Sequence, residues 1–548
     1  MKRLVIAITV AACAGPPVPS SRYVNRQPAA VVNDRLDVPV TPKERPFYEN
    51  LYHYDAVIGD PLDRTFELPR QRRALGVNAL DEVPDSTWFT NRIGVRDMSL
   101  AELANGPATI ESPELYKPWT IKTTKVGGAQ VGFTIEDTRG EKFLLKFDTQ
   151  GFPEQETATN IIVGKLLWAS GFSVPEDFVV DLRREDLIVA PDATMKDKTG
   201  EKRRLDDAEI DRQLTRVQVE PDGRIRGYAS RWLPGKPLGG HPGEGVRKDD
   251  PNDRIPHELR RDLRGSWAMF SWLDHVDVQE SNYLDTWVPD PADKKRHYVK
   301  HYLLDFGKSM GVMATTGRDP RRSHAYVIDF DSMMKSLLTL GLVERSWEDR
   351  KVPRLRGVGL FDVATFEPAA WKPDYPAYLP FLTADRFDKF WGAKILMRFT
   401  RDQIRTIVET GRYSDPRAAA YIVDTLVARQ RKIGQHWFAR VNPLDRFTIA
   451  ADSLCFDDLS IVYRFAPAGG TSYQATSFDR ETRVVGEAAG RPNERGRTCI
   501  PLMLAPAEDG YSMMRIQTTR PGFSGTTVVH VALDPGTRAA RLVGIWRT

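Results

Sequence analysis

From Trp119 onward the apolar and polar positions settle into short alternating runs. Trp119–Thr124, Gly132–Glu136 and Lys142–Phe147 each read as β-strands. Gly127-Gly128 breaks the first pair, and Asp137-Thr138-Arg139-Gly140 supplies a hairpin turn before the third. After Pro153 the period changes. Ala158, Ile161, Ile162, Leu166 and Ala169 recur at three- and four-residue spacing, which predicts a helix with a proline at its first position and a stop at Ser170-Gly171. Residues 174–180 begin another extended segment, 181–223 are charged and poorly periodic, and 226–232 read as a strand. The loop 234–240, with three glycines and two prolines, reads as a hinge.

Beyond the hinge the chain turns helical, with an amphipathic stretch at 256–273 and further helices at 383–397, 401–411 and 416–440. From about Phe447, strands at 460–465, 513–518, 526–533 and 541–546 alternate with Gly, Pro and Asp turns. This predicts a separate all-β module over 448–548, of the sandwich kind. Residues 46–116 mix turns with aromatics such as Phe47, Tyr48, Tyr52 and Trp88, and read as an extension packed on the main body. No internal repeat is present.

Composition narrows the picture only slightly. The 548 residues are 41% hydrophobic and 28% charged, a globular balance. Lys plus Arg (78) exceed Asp plus Glu (74) by four, spread along the chain, so nothing argues for a nucleic-acid partner. No apolar run reaches the 18 residues of a membrane span. Three cysteines exclude a disulfide-dense scaffold and a CxxC-type zinc module.

The start of the chain reads as an address. Met1-Lys2-Arg3 is basic, Leu4 to Val10 is apolar, and Val10-Ala11-Ala12-Cys13 leads small residues into a cysteine. This resembles a bacterial lipoprotein signal over 1–13, which implies that Cys13 is lipidated and anchors the chain to a membrane of the cell envelope. An ordinary secretory signal cleaved near Ala12 or Ala14 is the alternative. Residues 14–45, rich in Pro, Val, Asn and Arg without a period, read as a flexible tether. In an oxidising compartment Cys455 and Cys499 could pair; two buried thiols are the other reading.

The chemistry sits in two motifs. His275-Val276-Asp277 is followed five residues after the aspartate by Asn282, and Asp305-Phe306-Gly307 comes 23 residues later, behind the apolar run Tyr302-Leu303-Leu304. H-x-D-x-x-x-x-N followed by D-F-G is the order used by protein kinases. Upstream lie a glycine turn between strands, Lys146 in the third strand and a helix carrying glutamates. Residues 117–440 thus resemble the protein-kinase-like superfamily, and more loosely a group of uncharacterised exported bacterial proteins with such a domain. The resemblance implies an α+β fold with a bilobal core, a β-rich N-lobe over 117–237 and a helical C-lobe over 238–447, followed by the C-terminal all-β domain.

It also implies roles in an ATP- and Mg²⁺-dependent phosphotransferase. Lys146 would hold the α- and β-phosphates, Asn282 and Asp305 would be Mg²⁺ ligands, and Asp277 would orient or accept the proton of an attacking hydroxyl. Gly127, Gly128 and Gly132 would bring backbone amides near phosphate. His275 would brace the loop, Phe306 would pack under the helix, and Gly307 would permit the following turn. For the acid that holds Lys146, Glu156 is preferred, with Glu154 and Asn160 still open. The two glutamates lie about 160° apart around a helix, so only one can face the lysine. Simpler readings stand beside these: a strand lysine with its head in solvent, a loop Asp with a capping Asn, and two acids favoured by a helix N-terminus.

The chain also departs from the kinase pattern. Its turn Lys125-Val126-Gly127-Gly128-Ala129-Gln130-Val131-Gly132 is not G-x-G-x-x-G, and no A-P-E follows D-F-G. The acceptor is therefore open among protein, sugar and lipid hydroxyls. A catalytically silent kinase-like binding module, its cleft kept for another ligand, or a cell-envelope scaffold whose β-module meets a partner, is the alternative function.

Overall fold

The computed structural model describes residues 21–59, 72–125, 130–196, 201–313, 319–345, 347–348 and 350–548. Cys13, Gly127 and Gly128 lie outside them. The chain forms two compact units. One comprises Ala30–Val77 and Glu82–Arg440; the other comprises Val441–Thr548 together with Asn78–Asp81 and the first segment through Ala29.

The larger unit opens with the three predicted strands, β1 (Trp119–Thr124), β2 (Gly132–Glu136) and β3 (Lys142–Phe147), each antiparallel to the next. Helix α1 (Gln155–Ser170) follows, then β4 (Asp177–Leu182). The aperiodic stretch 181–223 is not a loop. It holds β5 (Leu187–Lys196), β6 (Lys202–Arg204) and α2 (Asp207–Leu214). β5 and β6 lie at a sheet edge and bury few residues, so little apolar periodicity marks them. With β7 (Ile225–Arg231) the sheet runs β4-β7-β3-β2-β1-β5-β6.

Strand alternation decides which side chains this sheet sends where. Phe143, Leu145 and Phe147 of β3 enter a core with Trp119, Ile121, Phe133, Ile135 and, from α2, Ile210 and Leu214. Lys146 therefore emerges on the opposite face. There Tyr228 of β7 sits directly across from it, and Tyr228 packs with Ile161 of α1. Asp148 holds the start of α1, accepting from Thr157 N (3.0 Å), Glu154 N (2.9 Å) and Thr157 Oγ1 (2.7 Å). That satisfies backbone donors which a helix N-terminus leaves unpaired.

A short sheet β10-β9-β8 follows, from β8 (Lys236–Pro237), β9 (Tyr283–Pro289) and β10 (His297–Leu303). Buried Asp285 of β9 ties it down, in contact with His241 (3.2 Å), His301 (2.7 Å) and Arg247 (3.2 Å). The helical half includes α3 (Arg261–Leu273), α4 (Arg386–Leu396), α5 (Arg401–Glu409) and α6 (Pro416–Phe438), close to the predicted bounds. It also holds two helices that the sequence pattern does not predict, Phe330–Leu338 and Leu379–Thr383. α3 and α4 touch through glycines: a Cβ on Gly265 would lie 2.4 Å from the Trp391 ring, and one on Gly392 2.3 Å from Gly265 O. Arg261 and Arg264 beside this crossing both meet Asp388, at 2.6 and 2.7 Å. Among the described residues no helix is long and apolar enough to cross a membrane.

The second unit is all-β apart from a one-turn helix. A three-stranded sheet, β11 (Leu444–Ala450), β12 (Ser453–Asp458) and β15 (Arg497–Pro501), shares a core with a five-stranded one. The latter runs β14 (Val484–Gly490), β13 (Ser472–Phe478), β16 (Ser512–Arg520), β17 (Phe523–Leu533), β18 (Ala540–Arg547). Leu454, Phe456 and Ile500 face Tyr473, Met514 and Val529 across it, a sandwich. Cys455 and Cys499 occupy opposed positions on β12 and β15 and form a disulfide.

Two expectations need correction. The predicted strand at 460–465 begins instead as the helix Leu459–Val462, because Asp458 caps it by accepting from Ser460 N (3.0 Å). The tether expected over 14–45 is fixed from residue 21 on. In the smaller unit Tyr511 Oη accepts from Tyr23 N (2.9 Å), and in the larger one Asp34 is buried and accepts from Thr87 N (2.7 Å).

Two outcomes follow from this packing. Gly265→Ala gains helix propensity yet is expected to lower stability by about 1–3 kcal/mol through overpacking against Trp391, measured by denaturant unfolding. Unchanged or increased stability would refute the close crossing. Cys455→Ser with Cys499→Ser opens a link between residues 44 apart. Loop entropy puts the loss at about 4 kcal/mol, seen as an earlier unfolding transition of the β-sandwich.

Candidate active site

β3 delivers Lys146 to the sheet face that α1 covers, and there the side chain is buried. A buried ammonium needs a counter-charge, and Asp305 supplies it: Lys146 Nζ to Asp305 Oδ2 is 3.2 Å. The Nζ also lies 5.5 Å from the centre of the Tyr228 ring. Burial works against the charge on Lys146, but Asp305 outweighs it and holds the ammonium above its ordinary value. In return, against the loss of water around it, Lys146, Lys125 and Lys308 hold the Asp305 carboxyl down to about 2.

Asp305 reaches this position through an unusual backbone. Its φ is +56°, in the left-handed region, so the chain turns sharply at the start of D-F-G. The turn is fixed on both sides. Phe306 N donates to Asn160 Oδ1 of α1 (3.0 Å), whose Nδ2 donates to Asp177 Oδ2 (2.6 Å). The Phe306 ring runs under α1 at Gly164, where a Cβ would come within 3.3 Å of it. Asn160 is thus the anchor of the D-F-G turn.

The H-x-D loop lies on the other side of Asp305. Asn282 Nδ2 donates to Asp277 O (2.8 Å), closing the five-residue span, and Leu304 N donates to Asn282 O (2.8 Å), which places Asn282 beside the D-F-G strand. Asp277 Oδ2 lies 2.9 Å from Lys308 Nζ. Against the cost of its burial, Asp277 raises the Lys308 ammonium. His275 points away from the reaction centre, 2.8 Å from Ser309 Oγ, and burial depresses its imidazole to about 4, so it is a neutral brace.

The two glutamates separate cleanly. Glu154 faces away: it accepts from Arg356 Nε (2.6 Å) and Ser414 N (2.9 Å). Glu156 faces the cleft, with its Cβ 3.7 Å from where a Gly307 Cβ would stand, but it makes no ion pair with Lys146. Burial, with Asp148 and Asp305 as like charges, pushes its carboxyl up to about 8. The direct acidic partner of Lys146 is therefore Asp305, where the kinase resemblance implies a helix acid.

Sequence reading missed Lys125, Lys308, Tyr228 and Asp148. Lys308 follows D-F-G directly, a signal available in the sequence. Tyr228 and Asp148 had none, because their roles depend on strand register and on a helix nine residues away. Lys125, at the end of β1, is lowered by burial and by Lys146, so two lysines crowd one wall of the cleft.

The donor set suits a hard divalent cation. Asp305 is held ionised, and Asn282 keeps its side-chain oxygen clear of hydrogen bonds among the described residues. Another group of metal-capable atoms, in His241, Asp285 and His301, lies within 4.8 Å of one another. Its carboxylate is already engaged by both imidazoles and by Arg247, a structural bracket.

No protein-family model matches the chain, and no curated protein does. Among solved structures, a Golgi casein kinase with Mn/ADP bound is similar at 12% identity, covering 62% of this chain and 73% of that one, with a TM-score of 0.26. A second structure of the Golgi casein kinase gives 12%, 62%, 72% and 0.24. The Rio2 kinase–ADP/Mg²⁺–phosphoaspartate complex from Chaetomium thermophilum gives 15%, 53%, 69% and 0.20. At these TM-scores the likeness transfers no residue role, and the chemistry rests on the side chains of this chain.

Glu156 yields a pH test. A carboxyl at about 8 in the folded protein, against about 4.3 unfolded, binds a proton that the unfolded chain has lost. Stability contributed by this group is full below the unfolded value and falls as pH rises toward 8. Relative to wild type, Glu156→Gln should gain melting temperature progressively from pH 5 to 8 and level off above it. A constant difference across that range would disprove the shift.

Proposed function

We propose that the larger unit is an ATP- and Mg²⁺-dependent phosphotransferase that acts on a hydroxyl acceptor. One observation carries this reading. A buried strand lysine, the left-handed aspartate of D-F-G, and the Asp277–Asn282 loop converge in one cleft, with Lys146 and Asp305 in direct contact at 3.2 Å. In the reaction Lys146 leaves Asp305 to bind nucleotide phosphate oxygens. Asp305 and Asn282 would hold a divalent cation, whose charge would offset that of the phosphates. Asp277 receives the hydroxyl proton, and Lys308 draws the transferring phosphate oxygens toward it, placed by its contact with Asp277. Glu156, whose carboxyl is raised by burial and by its like charges, would give its proton to solvent and pair with Lys146 when Asp305 serves the cation.

The chain is exported and anchored through lipidated Cys13. Supporting this are the signal-like start of the sequence and the Cys455–Cys499 disulfide, a bond typical of oxidising compartments. A silent nucleotide-binding module is the second reading. It is favoured by the fact that Lys146 contacts Asp305 in place of Glu156.

Titration with ATP and Mg²⁺ separates the two. At about 100 times its Kd the nucleotide should stabilise the protein by about 2.7 kcal/mol. Lys146→Met and Asp305→Asn should abolish the shift. Asp277→Asn should keep it while lowering phosphate release or transfer from labelled ATP by about 10²–10⁴-fold. Lys308→Met should lower transfer roughly 10²-fold. Stabilisation with no turnover in wild type would leave the binding module; no stabilisation would overturn both. For the anchor, Cys13→Ser should remove incorporation of labelled palmitate in a bacterial host.

A further inference from the structure

Away from the Lys146–Asp305 cleft, the larger unit carries a second cavity of about 600 Å³. Its walls come from the β2–β3 turn, the C-terminal end of α1, the segment that leaves β7 at Arg231–Pro234, and β10. The size matches a nucleotide- or sugar-phosphate-sized molecule. Trp168, half-exposed Trp232 and Tyr302 give it flat apolar surface.

Its charges are unbalanced. Arg231 is neutralised within the wall, by Glu176 at 2.9 Å and Glu141 at 3.0 Å. Three other cations make no ion pair among the described residues, although Asp85 and Glu102 lie near enough to Arg92 to favour its charge, and Lys142 is exposed. Arg92 spends its guanidinium on two backbone carbonyls, Trp168 O (2.6 Å) and Phe172 O (3.2 Å). Lys142 makes no ion pair among the described residues. Lys300 Nζ has no hydrogen bond or ion pair among them either, and lies 4.9 Å from the Tyr302 ring. Burial and the positive charges of Arg92 and Arg35 all depress the Lys300 ammonium.

Elsewhere in this unit buried cations have a carboxylate in contact or nearby. Arg261 and Arg264 meet Asp388, and Lys389 and Lys165, which make no ion pair among the described residues, still have Asp388 and Asp177 close to them. Placing a partly buried ammonium beside two guanidiniums, with the carboxylates of the wall already engaged by Arg231, costs folding free energy. Proteins keep such local violations mainly at functional sites. An anion would relieve it, and phosphate suits a mixed arginine–lysine wall.

We propose that this cavity binds a small phosphorylated molecule, its phosphate held by Lys300, Arg92 and Lys142 and its body lying against Trp232 and Trp168. The site is separate from the Lys146–Asp305 cleft, and the proposal stands whether or not that cleft transfers phosphate. Because Trp232 and Pro234 belong to the connection between the sheet and the helical half, occupancy also loads that connection.

The test uses the full chain and inorganic pyrophosphate, without divalent cation, followed by calorimetry and tryptophan emission. Expected is saturable binding with a change in emission, weakened at least tenfold in Lys300→Gln and in Lys142→Gln, and within twofold of wild type in Lys146→Met. Stability gives an independent readout. In phosphate-free buffer Lys300→Gln should melt at or above the wild-type temperature, since it removes a repelled charge. Absence of saturable binding, binding untouched by both Lys300→Gln and Lys142→Gln, or binding lost in Lys146→Met would overturn the proposal. So would a lower melting temperature for Lys300→Gln, which would make Lys300 a structural residue.

Discussion

The larger unit is organised around one requirement: Lys146, projected inward by strand alternation, must have a counter-charge. It finds one in Asp305, 159 residues later in the chain. That contact fixes the distance between β3 and the end of β10, and hence the width of the cleft. Two neighbouring contacts keep Asp305 in place, the Phe306 N–Asn160 Oδ1 hydrogen bond and the packing of the Phe306 ring on Gly164. α1 is thereby locked to the D-F-G turn at the same point where it covers the lysine. A side chain larger than glycine at position 164 would push the turn away from the helix.

The cleft is a balance of several charges. Lys125, Lys146 and Lys308 stand against Asp277 and Asp305, while Glu156 is pushed toward its neutral form by burial and by the carboxylates around it. The proposed function assigns these groups new partners during the reaction. Under that proposal Lys146 goes to phosphate, Asp305 to the cation and Glu156 to the lysine, and the observed contacts are the resting arrangement.

Several buried charges of the unit are held by direct contacts. Asp285 takes two imidazoles and a guanidinium. Arg429 of α6 donates to Trp272 O (3.0 Å) and Ser271 O (2.6 Å), satisfying carbonyls at the end of α3 just before the H-x-D loop. Lys300 differs from Lys165 and Lys389, which also lack an ion pair among the described residues, in that the charges acting on it are the guanidiniums of Arg92 and Arg35 and not a carboxylate.

The sequence by itself determined the elements and much of the site. Period-two alternation in Phe143 to Phe147 sends Lys146 to the face opposite the aromatic core, and three- and four-residue spacing marks α1 and the later helices. The spacing of Asp277, Asn282 and Asp305 marked two segments that lie side by side, joined by Asn282 Nδ2 to Asp277 O and by Leu304 N to Asn282 O. These features are local: they depend on a residue's neighbours in the chain, so they can be read from it. Tertiary structure decided the rest. Glu154 and Glu156 are near equivalent in sequence, and the choice between them is made by Arg356 and Ser414, more than 200 residues away, which capture Glu154. β5 and β6 escaped notice because edge strands bury too little to leave a pattern, and Tyr228 because only strand register sets it opposite Lys146. Partners of buried charges and the faces of weakly buried strands are fixed by contacts between distant segments, and no short window of sequence contains them.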